Sequence, residues 1–410
     1  MTAPAAVPPE VTLVSTWWTS LGDAIGARWA AAGRHPEDFP EVAAGVLTQY
    51  PAPATGLALP SLAWLAGATL PHQHDLGSGF GQPAVTVYRG DGFIVYLLFW
   101  FDETTLIHDH RFNGAFSILE GQSLQNVYRF EAAERVSPEV EVGRLRCTEV
   151  EVLGPGDVRR IPSGPALIHS NLHFGSPPTL SLVARTLVDA RDPQRSYTHG
   201  GLAFAGAGRS PETTMRLQGF AASCRIAPEA GSEYLRRVLP DAGPVELLDY
   251  VAAAVRQFGS SLYLDPLLAA NPLGDSEAAR QAVSRYARQL FVGFVGLSEL
   301  RALGEPADRL LLSMVAAGTE WKMATGALQA VVPDATPRRA LCHLVAELLG
   351  RLATSGRPSA CALSEDARCY VQSAAGGADA SPGEAVYTEL VAHRLFGSLF
   401  RFVLDPDDAD

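Results

Sequence analysis

Short segments rich in Val, Ile, Leu and aromatic residues follow one another between residues 84 and 187, separated by turn residues. Asp91-Gly92 is one such turn, because glycine adopts a positive φ without steric cost. Many short strands divided by glycine-containing turns are typical of an all-β sandwich or barrel. The predicted strands are Ala84–Tyr88, Phe93–Phe101, Ala115–Leu119, Gln125–Phe130, Leu145–Val152, Val158–Ile161 and Thr179–Leu187.

The segments on either side have helical periodicity. Trp17, Trp18, Leu21, Ile25 and Trp29 recur at helical spacing, Ser15 or Thr16 is placed to cap their helix, and Pro40–Tyr50 is predicted to form a second one. Beyond residue 210, apolar residues recur at i, i+3, i+4 and i+7 in Pro244–Phe258, Asp275–Leu303, Pro306–Ala317, Pro337–Thr354 and Gly383–Val403. We therefore expect an α+β protein with an N-terminal helical segment (1–75) packing on a β-barrel (76–205), and a separate all-α domain (210–410).

Composition restricts the partners. Apolar residues make up 47% and charged residues 19% of the chain, as in soluble globular proteins. The net charge of −12 repels nucleic acid and anionic membranes, and no basic cluster offsets it, so neither is expected as a partner. Five cysteines without a CxxC pair, and an N-terminus unlike a secretory signal, predict a cytoplasmic protein. A homodimer stays open.

Three histidines predict a metal site. His108 and His110 are two residues apart in a strand-like segment, so both imidazoles point to the same side. His169 follows a stretch of glycine and proline, Gly156 to Gly164, that turns the chain tightly and can bring the next strand back beside the pair. Ordinary strand histidines are the alternative.

In these residues the chain resembles the cupin superfamily, and within it the cysteine dioxygenase-like thiol dioxygenases. Phe99-Trp100 … Ile107-His108-Asp109-His110 … Leu119-Glu120-Gly121 is similar to the first ligand motif, and Gly156 … Pro162-Ser163-Gly164 … His169 to the second. The resemblance covers about 120 residues and implies a cupin-type β-barrel, or jelly roll. Gly114 and Ala115 stand where ordinary cupins have a ligand Glu, so the resemblance implies three neutral histidines.

Such a ligand set does not neutralise the charge of a divalent ion, and this favours an anionic substrate. It also leaves about three coordination positions open on an octahedral ion. Fe(II) fits this chemistry best, with Ni, Mn, Zn and Cu as alternatives. The family's crosslinking Cys falls on Gly114, and its later His and Tyr fall on Val183 and Arg185. These departures make cysteine itself a doubtful substrate.

Three further residues are candidate catalytic groups. Arg89 stands where related dioxygenases have an Arg that binds the substrate carboxylate, and Arg185 shares a strand face with Ser181 and Val183. His173, four residues after His169, is a candidate hydrogen-bond donor or acid–base group. The alternatives are a surface arginine for Arg89 and a solvated loop position for His173.

Other polar residues are weaker candidates. His72 and His74 are more consistent with a structural or lid role, and His343 and His393 with structural roles among apolar neighbours. His199 is a weak pocket candidate. Asn113 is placed to form a hydrogen bond near the metal.

The leading functional hypothesis is a mononuclear non-haem iron oxygenase that uses O2 on a small anionic substrate, thiol-like or amino-acid-like. One alternative is a redox-neutral cupin isomerase or lyase with Zn or Mn. The other is a ligand-sensing cupin coupled to a helical interaction domain.

Overall fold

A computed structural model of the chain describes most of the sequence up to residue 300 and parts of the remainder. The described residues are 9–53, 56–67, 70–73, 81–101, 105–175, 178–187, 193–205, 210–258, 276–300, 363–375 and 382–392, with isolated residues between 309 and 346.

Eleven strands are described between residues 84 and 205. They are β1 (Ala84–Arg89), β2 (Phe93–Trp100), β3 (Ile107–His110), β4 (Gly114–Glu120), β5 (Ser123–Arg135), β6 (Val140–Leu153), β7 (Val158–Ile161), β8 (Gly164–His173), β9 (Thr179–Thr186), β10 (Arg195–Tyr197) and β11 (Leu202–Ala205). All seven predicted strands are present, most of them longer than expected. Gly92 has φ +84°, as the predicted hairpin turn requires.

The strands form two sheets. The first has the order β1-β2-β9-β4-β7, and the second, β10-β11-β6-β5-β8-β3, is closed because β3 pairs with β10. In the first sheet, β2 is buried along its whole length. Its odd-numbered residues, such as Val95 and Leu97, pack in the same core as the N-terminal helices. Its even-numbered residues, such as Tyr96 and Trp100, point to the opposite side and form a separate cluster. Both sides of this strand are apolar, so its sequence lacks the alternation that would reveal which residues face inward.

Three N-terminal helices cover the first sheet: α1 (Pro9–Ala31), α2 (Phe39–Gln49) and α3 (Ala58–Gly67). The predicted cap of α1 is wrong, because the helix begins at Pro9 and Ser15 and Thr16 lie inside it. Val11 and Val14, upstream of Ser15, are buried in the same core as the later apolar residues of α1, and this burial extends the helix past the predicted cap. Trp18 and Ile25 are buried on its inner face.

Helices follow the barrel strands, as expected. The described ones are α4 (Pro211–Ile226), α5 (Pro228–Val238), α6 (Pro244–Phe258), α7 (Glu277–Leu300), α8 (Glu365–Ala375) and α9 (Glu384–Val391). The Ser210 side chain caps α4 by accepting a hydrogen bond from Thr213 N at 3.0 Å. The helices predicted over 306–317 and 337–354 fall almost entirely outside the described residues, as does the end of the one predicted over 383–403.

The chain forms two compact units. One comprises Met1–Thr105, Asp109–Gln125 and Val152–Asp192, and the other comprises Leu106–His108, Asn126–Glu151 and Pro193–Asp410. In the second unit, Val140 and Leu202 share a core with Phe220 and Tyr250. The expected fold class is confirmed at the level of architecture: an α+β arrangement with N-terminal helices, a closed β-barrel and later α-helices. Among the described helices, none has the length and apolar character needed to cross a membrane.

Candidate metal centre

The three predicted metal ligands lie together. His108 and His110 project from β3 and His169 from β8, and a ligand nitrogen from each lies within 4.8 Å of the others. His110 Nε2 is 3.3 Å from His169 Nε2. The three side chains are buried, with exposed fractions of 6%, 5% and 3%.

This geometry fits a divalent ion. Imidazole nitrogens bind such ions at about 2.1 Å, so neighbouring ligands lie roughly 3.0–3.4 Å apart, and the His110–His169 separation falls in that range. His108 Nδ1 is 2.7 Å from the Leu106 carbonyl oxygen, which can only accept. The proton therefore sits on Nδ1 and the Nε2 lone pair is available, as a ligand requires. Burial lowers the pKa of His108 to about 4, against the smaller raising effect of the Leu106 carbonyl, so its imidazole is neutral at pH 7.

Packing explains why Gly114 stands at a position where a ligand carboxylate was considered. A Cβ atom on Gly114 would lie 2.5 Å from the Ala184 carbonyl oxygen and 3.2 Å from Arg185 Cβ. Gly114 pairs directly with Arg185 across the first sheet, and the two backbones approach too closely for a side chain. Glycine is therefore required there by the sheet.

Arg185 lies in the interior, as its alternation with Ser181 and Val183 predicts. It is 5% exposed, and its guanidinium carbon lies 4.9 Å from the centre of the Tyr96 ring and 4.8 Å from that of the Phe112 ring. Its Nη2 donates to the Tyr96 hydroxyl at 3.0 Å. Phe112 also contacts His110 edge-on, with ring centres 5.1 Å apart. One aromatic ring therefore joins the arginine to a candidate metal ligand.

Arg89 has a different position. It ends the edge strand β1, and its side chain is exposed. It pairs with Ile94, which pairs in turn with Arg185, so the two arginines share one side of the sheet two strands apart. The structure brings Arg185, and not Arg89, into the buried interior.

His173 is buried rather than in a solvated loop. It ends β8 and stacks on Trp100, with ring centres 4.3 Å apart and planes at 18°. The Trp100 indole nitrogen donates to Ser181 Oγ at 2.8 Å. Burial lowers the pKa of His173 to about 3. A neutral imidazole thus lies on the inward-facing side of β2.

Two of the weaker candidates, Asn113 and His199, have local structural contacts. Asn113 Oδ1 accepts from Ser163 N at 3.0 Å and so holds the loop before β8. His199 packs edge-on against Tyr128 at 5.6 Å. His72 and His343 are exposed, while His74 and His393 lie outside the described residues.

Sequence reasoning missed Tyr96 and Phe112 among the aromatic residues around the site, and it named Trp100 only as part of the first ligand motif. Tyr96 and Trp100 lie in the uniformly apolar strand β2, and Phe112 follows β3, where no repeating pattern applies. Alternation along β2 places Tyr96 and Trp100 on the same face of the strand. It does not say whether that face points toward the metal ligands.

Comparisons with known proteins leave the chain without a family assignment. No protein-family profile matches it, and neither does any curated protein. Its solved structural neighbours include one chain from the crystal structures of the DMSP lyases RdDddP and RnDddQII, at 17% identity and a TM-score of 0.26, over 46% of this chain and 98% of that one. The DMSP lyase DddQ of Ruegeria pomeroyi DSS-3 is similar at 17% identity and a TM-score of 0.25, over 44% of this chain and 95% of that one.

A third neighbour is Peruvianin-I, a cysteine peptidase from Thevetia peruviana latex, at 20% identity and a TM-score of 0.16. The match covers 23% of this chain and half the length of that protein. Likeness at these values assigns neither a family nor a reaction to this chain, so the case for function depends on the site itself.

Proposed function

We propose that the protein is a mononuclear non-haem iron oxygenase that acts with O2 on a small anionic substrate, thiol-like or amino-acid-like in chemistry. The observation that supports this most directly is the convergence of three buried imidazoles, a cluster that includes no carboxylate from the described residues. His108, His110 and His169 would hold the ion. When bound, Fe(II) supplies a Lewis-acidic, redox-active centre for substrate and O2.

Charge determines the substrate class. Three neutral imidazoles do not offset a divalent cation, so an anionic group is the ligand that neutralises it. Arg185 adds a second buried positive charge, and its planar guanidinium is oriented by the Tyr96 hydroxyl. A guanidinium fork matches a carboxylate in geometry as well as in charge.

The protein's own groups would orient the substrate and exclude water. The Tyr96 and Phe112 rings restrict the Arg185 side chain, so a carboxylate bound to it has a defined position. Phe116 lies 6.3 Å from the His169 ring and adds an apolar wall. His173, neutral and buried, is a candidate to accept or deliver a proton.

Metal analysis and an oxygen electrode test this proposal. The full-length protein should contain about one iron per chain and consume O2 when a small thiol carboxylate such as 3-mercaptopropionate is added. Tightly bound zinc without O2 uptake would instead support the redox-neutral isomerase or lyase. A protein that binds no metal but melts at a higher temperature with a metabolite would support the ligand sensor.

A further inference from the structure

Three buried polar residues and the half-buried Asn171 lie on the neighbouring strands β5 and β8. Asn171 and His173 are alternate residues of β8, on the same face of the strand as His169. Ser123 and Gln125 are alternate residues of β5 and likewise share a face. Ser123 is 0%, Gln125 2% and His173 3% exposed.

The two pairs lie beside each other. β5 and β8 are neighbours in the second sheet. The amides of Phe174 and Gly175 donate to the Gln122 carbonyl oxygen at 3.3 and 3.4 Å, which places the start of β5 next to the end of β8. Ser123 follows Gln122 and His173 precedes Phe174, so both pairs belong to one polar row that continues toward the metal ligand on β8.

Five polar atoms of this row are unsatisfied. Ser123 Oγ, Gln125 Oε1, Asn171 Oδ1 and both ring nitrogens of His173 are buried and have no hydrogen-bond partner among the described residues. Nearly all buried polar groups in proteins have a partner, and a group that lacks one calls for an explanation such as a functional role or a bound water, ion or ligand. Four adjacent residues in this condition indicate a ligand rather than a local packing defect.

The chemistry of the row selects the ligand. A hydroxyl, two amides and an imidazole carry no formal charge, and burial keeps His173 neutral at pH 7 by lowering its pKa to about 3. The two amide oxygens accept hydrogen bonds, the Ser123 hydroxyl both donates and accepts, and the imidazole offers one N–H donor and one acceptor. An uncharged group that both donates and accepts, such as a hydroxyl or a primary amide, satisfies them, whereas a buried charge would lack a counter-charge.

We infer that Ser123, Gln125, Asn171 and His173 form an uncharged polar subsite for a hydroxyl or amide group of the substrate whose anionic end lies at the metal and Arg185. Only the placement of the anionic end at the metal and Arg185 rests on the proposed function. The substrate is then a small carboxylate or thiolate with a neutral polar group at its other end.

Calorimetric titration of the full-length protein, as purified, tests the subsite with a matched set of ligands. Butyrate is compared with 4-hydroxybutyrate and with succinamate, which add a hydroxyl and an amide. At least one of the two polar ligands should bind five-fold or more tightly than butyrate. In the double variant Gln125→Leu/His173→Phe, this preference should fall below two-fold, while the exposed pair Gln49→Leu/His35→Phe should retain it.

Other outcomes overturn the inference. These are equal affinities in the wild-type protein, no binding of any of the three ligands, or a preference that persists in the double variant. If the double variant does not fold, Ser123→Ala, a smaller change in the same row, should reduce the preference at least two-fold, and an unchanged preference would reject the subsite.

The subsite proposal and the oxygenase proposal can be rejected independently of each other. Iron content and O2 uptake are measured on the same sample. A polar preference without iron or O2 uptake supports the subsite and rejects the oxygenase. Iron and O2 uptake without a polar preference reject the subsite alone.

Discussion

His110 Nε2 and His169 Nε2 lie 3.3 Å apart, although 59 residues separate them along the chain. Each nitrogen comes from a different strand, and both side chains are buried. An ion between them would account for this proximity, because each nitrogen would then direct its lone pair at a common positive charge.

Removal of His169 should abolish metal binding. His169→Ala takes away the one ligand that comes from β8, and the two histidines of β3 cannot complete the site alone. We expect bound metal, measured by mass spectrometry after dialysis, to fall at least ten-fold. The exposed His72→Ala variant is the matched control and should retain the wild-type metal content. Equal metal in both variants would contradict the site.

Arg185 should determine affinity for carboxylates. Arg185→Lys preserves the charge but loses the planar group that lies between the Tyr96 and Phe112 rings. We expect the Kd for 3-mercaptopropionate to rise about ten-fold or more, which corresponds to roughly 1.4 kcal/mol. Arg89→Lys changes an exposed arginine on the same side of the sheet and should alter the Kd less than two-fold. The reverse pattern would assign the carboxylate to Arg89.

Acid should destabilise the protein through His173. Burial lowers its pKa to about 3 in the folded state, against about 6.5 when unfolded, so below pH 6.5 the unfolded chain binds the extra proton. This contribution to stability is complete above pH 6.5 and is lost as the pH falls toward 3. When the pH is lowered from 6.5 to 5, the free energy of unfolding should fall in both proteins. The fall should be about 1–2 kcal/mol smaller in His173→Phe than in the wild type, because the variant lacks this imidazole.

Urea titrations across this pH range measure the effect. His72→Phe, at an exposed position, should retain the wild-type dependence on pH. If His173→Phe and the wild type have parallel profiles, the His173 imidazole is not held neutral by burial.

Gly114 should tolerate no side chain. In Gly114→Ala the new Cβ meets the Ala184 carbonyl oxygen at 2.5 Å, and two paired strands would have to separate. We expect a loss of about 1–3 kcal/mol in the free energy of unfolding, the usual cost of overpacking. Gly45→Ala, in α2, meets nothing within 4 Å and should stabilise the protein by about 0.5–1 kcal/mol because alanine favours helix. The melting temperatures of the two variants are compared by calorimetry. Equal melting temperatures would show that the two strands move apart at little cost.

The sequence alone determined the order of elements and the identity of the metal candidates. Glycine-containing turns and apolar runs located the strands, because turn residues and strand residues differ in intrinsic backbone preference. Histidines at positions 108 and 110 had to share a face once their segment was taken as a strand. The same alternation along β9 predicted that the Arg185 side chain points inward. These inferences are local, and local chemistry is sufficient for them.

Only the tertiary structure decided which groups surround those histidines. In β2, both faces are buried and apolar, so no pattern in the sequence could show that Tyr96 and Trp100 face inward. Whether Arg89 or Arg185 is buried depended on which strand lies at the edge of the sheet, a consequence of strand order. The neighbourhood of Ser123 and His173 depends in the same way on pairing between strands that are distant in sequence. Such pairing is set by the packing of the whole barrel, and no short segment encodes it.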